Sequence, residues 1–430
     1  MPAGAYRVGM IGLGTVGAGI LEILHGREED LIRRLGRKIE LRKIAVRDIR
    51  RPRNFFSGFN LSELLVPDAE ELVSDPEIDL VVEVAGGIEG PRRWILRALE
   101  SGKDVVTANK AVLATHGEEI FSAAQRAGRK VLYEASVAAA IPIIDMLQNG
   151  LVANQLSRIS AILNGTCNYI LTRMEHDRLD FPSALRLAQD KGFAEADPTL
   201  DISGGDSAHK LALLAGIITR SHVPLGSIFT EGMEAVTAED IDFARKLGYR
   251  IKMLAIGKRH AEGTWELRVH PTLIPRDDIL SQVDNEFNAV AVRGDAVGPM
   301  VIYGKGAGSH PTASSIVADI LRAGRGDGSG GDAHWLQPPP LVSMDEVSLR
   351  HYIRMRVMDN PGVMGRVTSH FGMRGISIAS LQQPEAKMGH PVPVVFVTHL
   401  CQDRVVTSAL SDLEAAGLVD GKCTHLRIED

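Results

Sequence analysis

A hydrophobic strand that runs straight into Gly12-Leu-Gly-Thr-Val-Gly17 constrains this chain more than any other feature. Tyr6-Arg-Val-Gly-Met-Ile11 reads as a buried strand and Ala18 to His25 carries a helical pattern, so GxGxxG sits at a strand-to-helix turn. In that context Gly12 allows the tight turn, Gly14 lets the backbone approach a pyrophosphate, and Gly17 permits close packing of the helix. The helix N-terminus adds N–H donors and a positive dipole. Gly12, Leu13, Gly14, Thr15, Val16 and Gly17 together are therefore a candidate dinucleotide cradle.

Further strand–helix units follow. Ile39–Val46, Leu80–Val84 and Asp104–Thr107 read as strands, and helical patterns near Gly90–Ser101 and Gly117–Ala127 alternate with them. This alternation predicts a doubly wound parallel sheet. Ligands of such sheets sit at the carboxyl ends of the strands, where Ala85-Gly-Gly87 and Thr107-Ala-Asn-Lys110 fall. The second strand ends in Arg47-Asp48, two residues that point in opposite directions. An acid there suits the ribose hydroxyls of NAD, and an arginine suits the 2′-phosphate of NADP. Arg50, Arg51 and Arg53 add positive charge, which favours NADP and leaves NAD open.

The rest of the composition narrows the class. The chain has 430 residues, enough for two or three domains, and a net charge of -6 that gives no reason to expect nucleic acid or an anionic membrane as partner. Cys167, Cys401 and Cys423 form no CxxC pair, and a reducing cytoplasm is expected. No apolar run reaches the roughly 20 residues that span a bilayer.

The middle of the chain brings the polar chemistry. Ala161–Ile170 reads as a strand, a polar turn and a helix start, where Asn164, Gly165 and Thr166 either line a pocket or cap the helix. Gly192 to Pro198 carries Glu195 and Asp197 into Asp201-Ile-Ser-Gly-Gly-Asp-Ser-Ala-His-Lys210. Asp206 and Lys210 are four apart and share one helix face. Leu211, Leu213, Leu214 and Ile217 make the helix too apolar to be exposed, so the lysine must be paired or reach a polar cavity. Acids there bind a substrate ammonium, and a lysine protonates an oxygen.

The motifs GLGTVG, TANKAVLA (107–114), EASVAAAIPII (134–144), ILNGTCNYIL (162–171), GFAEADPTLDISGGDSAHKLALLA (192–215), RVHPTLIP (268–275) and YGKGAG (303–308) together resemble the homoserine dehydrogenase family almost end to end. The resemblance implies interconversion of L-homoserine and L-aspartate 4-semialdehyde with NAD or NADP. It makes Lys210 the proton-transfer lysine, Asp206 its partner, Lys110 a second lysine between cofactor and substrate, and Glu195 the acid that holds homoserine, with Asp201, Asn164, Gly165 and Thr166 around the substrate. Arg47, Ala85, Thr107 and Gly306 join the cradle as cofactor contacts. A monovalent cation (Na+ or K+) is implied at Glu134, Val137, Ala139 and Ile141. Members commonly have glycines where this chain has Ala138-Ala-Ala140, so carbonyl ligation of the cation survives there only if the backbone avoids positive φ.

The tail reads as a separate module. Gly324 to Pro340 is linker by composition, and a βαββαβ order follows it that resembles the ACT amino-acid-sensing domain. Asp359, Asn360 and Gly362 would mark its effector loop, with threonine as leading candidate. The expected architecture is thus α/β: a Rossmann-type dinucleotide-binding domain at 1–135 with a return segment at 300–323, an α+β substrate and dimerisation domain at 136–299, a linker at 324–344, and an ACT domain at 345–430. Truncation after about Arg325 is expected to leave a folded, active enzyme, and a homodimer or homotetramer is expected. The rival readings are a dehydrogenase of a related amino-acid aldehyde and a catalytically inactive amino-acid sensor.

Overall fold

The computed structural model describes residues 4–51, 60–327, 338–385 and 389–429. The N-terminal sheet contains β1 (Tyr6–Ile11), β2 (Ile39–Ala45), β3 (Leu65–Val66), β4 (Leu80–Glu83), β5 (Asp104–Thr107) and β6 (Val131–Leu132). All its pairings are parallel, in the order β3-β2-β1-β4-β5-β6. Helices cover both faces, so β4 is buried at every position. The order reverses between β1 and β4, which opens a crevice at the carboxyl ends of those strands.

Two expected boundaries shift. The helix after β5 runs Lys110–Ala127, seven residues earlier than its apolar pattern suggests. The Asn109 side chain caps it at the Val112 N–H, and a non-helical His116 (φ -124°, ψ 18°) resets the periodicity midway. The return to the nucleotide sheet begins at Ser309 rather than 300. Residues Gly298–Lys305 are instead β12, paired antiparallel with β11 (Phe287–Gly294). The returning helix, Ser309–Arg325, packs on the Thr15–Gly26 helix so closely that a Cβ on Gly19 would lie 2.6 Å from Ser309 Oγ.

The second sheet has eleven strands. Those not yet given are β7 (Leu156–Ile162), β8 (Phe229–Thr230), β9 (Tyr249–Arg259), β10 (Trp265–Pro275), β13 (Ser348–Met358), β14 (Ile378–Gln382), β15 (Pro391–Thr398), β16 (Cys401–Gln402) and β17 (Thr424–Ile428). The main path is β12-β11-β7-β9-β10-β17-β13-β15-β14, with β8 beside β10 and β16 beside β13. Leu211 and Leu214 of the Gly205–Thr219 helix share one apolar core with Ile159, Ala161, Val290 and Val292 of the sheet.

The tail folds in the expected βαββαβ order, with helices Val363–Met373 and Asp403–Ala415. It is not an appendage. β17 adds to the edge of β10 at Thr272↔Arg427 and Leu273↔Ile428, and Pro340 and Val342 bond Trp265, so part of the expected linker adds to the sheet. Tyr352, Val397, Leu426 and Ile428 belong to the catalytic-side core. Buried ions seal the seam. Asp240 accepts from Tyr352 (3.0 Å) and Arg354 (2.6 Å), and Glu429 pairs with Arg268 and with Arg158 (2.6 Å). His351 and His425 hydrogen-bond at 2.9 Å beside Asp403, and burial, with Arg427 adding to it, lowers the pKa of both imidazoles.

Candidate active site

The glycine loop meets each requirement read from its spacing. Gly12 has φ 103°, and a Cβ there would lie 2.7 Å from Val84 O, so β1 and β4 allow no side chain. A Cβ on Gly17 would sit 2.7 Å from Gly12 O, whereas Gly14 faces open space and starts the helix without a side-chain cap. Gly86 and Gly87 also face open space. The exposed Thr15 and half-buried Val16 complete the turn over the buried Leu13. An uncapped helix N-terminus beside a concave, side-chain-free surface fits a dinucleotide pyrophosphate.

Behind this cradle lies Glu83, which the sequence reading did not single out. It is fully buried at the carboxyl end of β4, accepting from Thr107 Oγ1 (2.7 Å) and the Ala85 N–H (2.8 Å). Desolvation raises its pKa, against the pull of those bonds. A glutamate inside the apolar run Leu80–Val84 was the available signal. Asn109 joins the same wall, donating to Gly87 O at 2.8 Å. Arg47 and Asp48 lie exposed beyond β2, with Arg50 and Arg51 beside them; Arg53 lies outside the described residues.

The polar cluster centres on Asp206, on the first turn of the Gly205–Thr219 helix. Gly204, at φ 87°, lets the chain turn from the short Thr199–Ile202 helix, where a Cβ would meet Met253 at 2.7 Å. Asp206 Oδ2 takes Lys210 Nζ at 2.7 Å and Oδ1 takes Lys110 Nζ at 3.0 Å. Lys210 also donates to Leu163 O at 2.6 Å, at the end of β7. Burial pushes the Asp206 carboxyl up, but the two lysine charges prevail and hold it well below the usual carboxylate range. Asn164 caps the Gly165–His176 helix through the Cys167 N–H, and its Nδ2 donates to both Asp201 (2.7 Å) and Asp206 (2.8 Å). Desolvation raises Asp201.

Other expected residues are placed differently. Thr166 Oγ1 donates to Phe193 O at 2.6 Å, anchoring the loop that carries Glu195, and a Cβ on Gly165 would meet Glu286 O at 2.6 Å. Glu195 is exposed, and its carboxylate has no polar contact with the cluster among the described residues. Gly306 follows β12 and packs on Asn288. Cys167 is fully buried, and desolvation pushes its thiol well up, as suits a packing residue.

The loop after β6 does not meet the backbone condition set for the cation site. Ala138 and Ala139 have φ 53° and 37°, so two alanines occupy the region that glycine prefers. The Ala139 carbonyl accepts from Ser315 Oγ (2.5 Å) and the Ile141 carbonyl from the Ile143 N–H (2.7 Å). Glu134 spends its carboxylate on the N–H groups of Ile144 and Asp145, both at 2.8 Å. Of the four expected cation ligands, Val137 is the other, and it is fully buried. In the tail, Gly362 (φ 86°) starts the Val363–Met373 helix, Asn360 O accepts the Val363 N–H, and Asp359 takes Gln383 Nε2 at 3.2 Å.

A parallel sheet of order 3-2-1-4-5-6, an open glycine cradle at its switch point and two lysines paired on the buried Asp206, one of them at the carboxyl end of β5, define a nicotinamide-dinucleotide oxidoreductase. A family model described as homoserine dehydrogenase matches residues 142–321, and one described as homoserine dehydrogenase, NAD binding domain, matches 12–134. A curated homoserine dehydrogenase of Pseudomonas aeruginosa is 41% identical, with 98% of both chains covered. That of Bacillus subtilis is 36% identical over 99% of this chain and 98% of its own. The crystal structure of a homoserine dehydrogenase from Thiobacillus denitrificans superposes with a TM-score of 0.93 at 41% identity, covering 99% of this chain and 98% of the other. The chain belongs to the homoserine dehydrogenase family, whose cofactor is NAD(P).

Proposed function

We propose that this chain interconverts L-homoserine and L-aspartate 4-semialdehyde at the Asp206–Lys210 cluster. The observation that carries the reading is the environment of Lys210. An ammonium has three N–H donors; two are used on Leu163 O and Asp206, and the third is left for a ligand oxygen. A nicotinamide dinucleotide held at the Gly12–Gly17 cradle would supply or accept the hydride. In the reductive direction the Lys210 ammonium bonds the aldehyde oxygen, stabilises the charge that develops there and gives it a proton. In the oxidative direction the hydroxyl proton returns to Lys210.

Lys110, at the carboxyl end of β5, holds Asp206 from the nucleotide side and stands between cofactor crevice and substrate. Glu195, at the rim, takes the substrate ammonium in this reading. Asp201 is the second reading for that role, favoured by its place within the Asn164–Asp206 network. Arg47, exposed where β2 ends, is assigned the 2′-phosphate of NADP. A cytoplasmic homodimer or homotetramer with threonine bound near Asp359, Asn360 and Gly362 completes the proposal, supported by the βαββαβ order of the tail.

The test follows absorbance at the nicotinamide band with homoserine and each cofactor in turn. Turnover of homoserine well above related alcohols supports the assignment, and none with either cofactor sinks it. Glu195→Gln and Asp201→Asn then separate the two ammonium readings, since the residue that holds the ammonium raises KM when its charge is removed.

A further inference from the structure

Three asparagines lie buried around the cluster, and one of them is unlike the others. Asn164 and Asn168 are hydrogen-bonded throughout: Asn164 to Asp201, Asp206 and the Cys167 N–H, Asn168 to Val283 O, Asn285 O and Phe287 O, with Lys252 on its oxygen. Asn288 is fully buried on β11, yet neither its Nδ2 nor its Oδ1 has a partner among the described residues. Unmet buried amide groups are costly, and a native fold retains few of them.

Position gives the amide a meaning. Asn288 precedes the Ala289↔Ile162 pair, which brings it level with Leu163, whose carbonyl holds Lys210. On its strand it continues the row of Val292 and Val290, both in the core beneath the Lys210 helix, so an apolar residue would serve a purely structural role better. Its carboxamide lies flat against Gly306, where a Cβ would meet Cγ, Nδ2 and Oδ1 at 2.1 to 2.2 Å. That glycine opens a turn through Gly308 (φ 121°) into the Ser309–Arg325 helix, and Ser309 Oγ donates to Thr15 O of the dinucleotide loop at 2.7 Å. One short turn therefore spans the distance from the Lys210 layer to the cofactor cradle.

We propose that Asn288 is a positioning residue for the cofactor: when a nicotinamide dinucleotide enters, the Gly306–Gly308 turn settles against it and the Asn288 carboxamide bonds the backbone of that turn. The Asn288 amide has no partner among the described residues, and a turn that settles onto it supplies one. This rests on the dinucleotide reading of the crevice and not on the identity of the substrate.

The experiment measures NADPH binding by its fluorescence, and melting with and without NADPH, for the full-length wild type, Asn288→Ala and Asn288→Ser. Asn288→Ala is expected to melt no lower than wild type without cofactor, to bind NADPH roughly tenfold more weakly, the scale of one hydrogen bond, and to show a smaller rise in Tm on adding it. Asn288→Ser keeps a donor and an acceptor and should fall between the two. Wild-type NADPH affinity in Asn288→Ala, whether or not its melting temperature drops, overturns the proposal. A wild type that binds NADPH but does not turn over homoserine would instead sink the substrate reading, leaving this one to be judged on binding alone.

Discussion

Carboxylates are buried against bases in two regions of this molecule, and the choice of base differs. At the seam between tail and catalytic sheet the bases are arginines: Arg354 on Asp240, and Arg268 and Arg158 on Glu429. At the site they are lysines, Lys110 and Lys210 on Asp206. Arginine stays protonated and forks onto both carboxylate oxygens, so the seam is fixed in one charge state. Lysine is a compact charge that can release its proton. The same kind of pairing thus builds a static joint in one place and, in the proposed reaction, holds a proton donor in the other.

The largest break in that comparison is removal of the joint. Ending the chain after about Arg325 strips β17 from β10, uncovers the apolar core shared with Tyr352, and takes Glu429 from Arg268 and Arg354 from Asp240. Breaking one such pair costs about 3–5 kcal/mol. The truncated chain is therefore expected to be insoluble or unfolded by circular dichroism, contrary to the independent module that its linker composition suggests; a soluble, active fragment would show the seam to be dispensable.

Next in size is Lys210→Ala. Loss of a general acid–base group lowers kcat by ~10²–10⁴-fold, while Asp206 keeps Lys110 and the fold should survive. Near-normal kcat with an unchanged melting temperature would remove Lys210 from the chemistry.

A third test uses a pair of acids that has only a single base nearby. Burial, with the Glu134 charge adding to it, raises Asp319 to about 7, and burial raises Glu134 to about 6; Arg322 is the one cation beside both among the described residues. Raised carboxyl pKa values mean that the folded chain binds protons more readily than the unfolded one. Stability from these groups therefore rises as pH falls from about 7 to about 4, and is lost as pH rises through the folded values. Thermal melts across that window should show the trend for wild type and a flatter profile for Asp319→Asn. An unchanged slope would place the titration elsewhere.

The smallest effect belongs to the exposed Arg47. Arg47→Ala should weaken NADP roughly tenfold at most and NAD hardly at all, since only NADP offers a 2′-phosphate. Equal losses would assign the phosphate to another residue.

What could be read in advance follows from how far apart the partners are in the chain. The glycine turn is six consecutive residues with one steric task each, and Asp206 with Lys210 is one helical turn, so local rules suffice. Lys110 reaches Asp206 only through the packing of two domains, and no periodicity links them. Glu83 was hidden inside a strand whose apolar neighbours dominate its pattern. The fusion of tail and sheet hangs on a two-pair register between β10 and β17, too short to leave a sequence signal, while the Gly/Pro-rich stretch before it argued for independence. Ala138 and Ala139 ran against their residue type because the surrounding Glu134 and Ser315 contacts fix that loop.

The two arms of Asp206 are not equally strong. Lys110 belongs to the nucleotide-binding unit and is one-third exposed, whereas Lys210 shares a helix with the carboxylate and is nearly sealed. If the two units swing apart to admit or discharge a cofactor, water can replace Lys110 at little cost, as at most surface ion pairs. The Lys210 arm stays closed throughout. Asp206 would then act as a latch with one fixed and one releasable side, and the crevice could open without Lys210 losing its place.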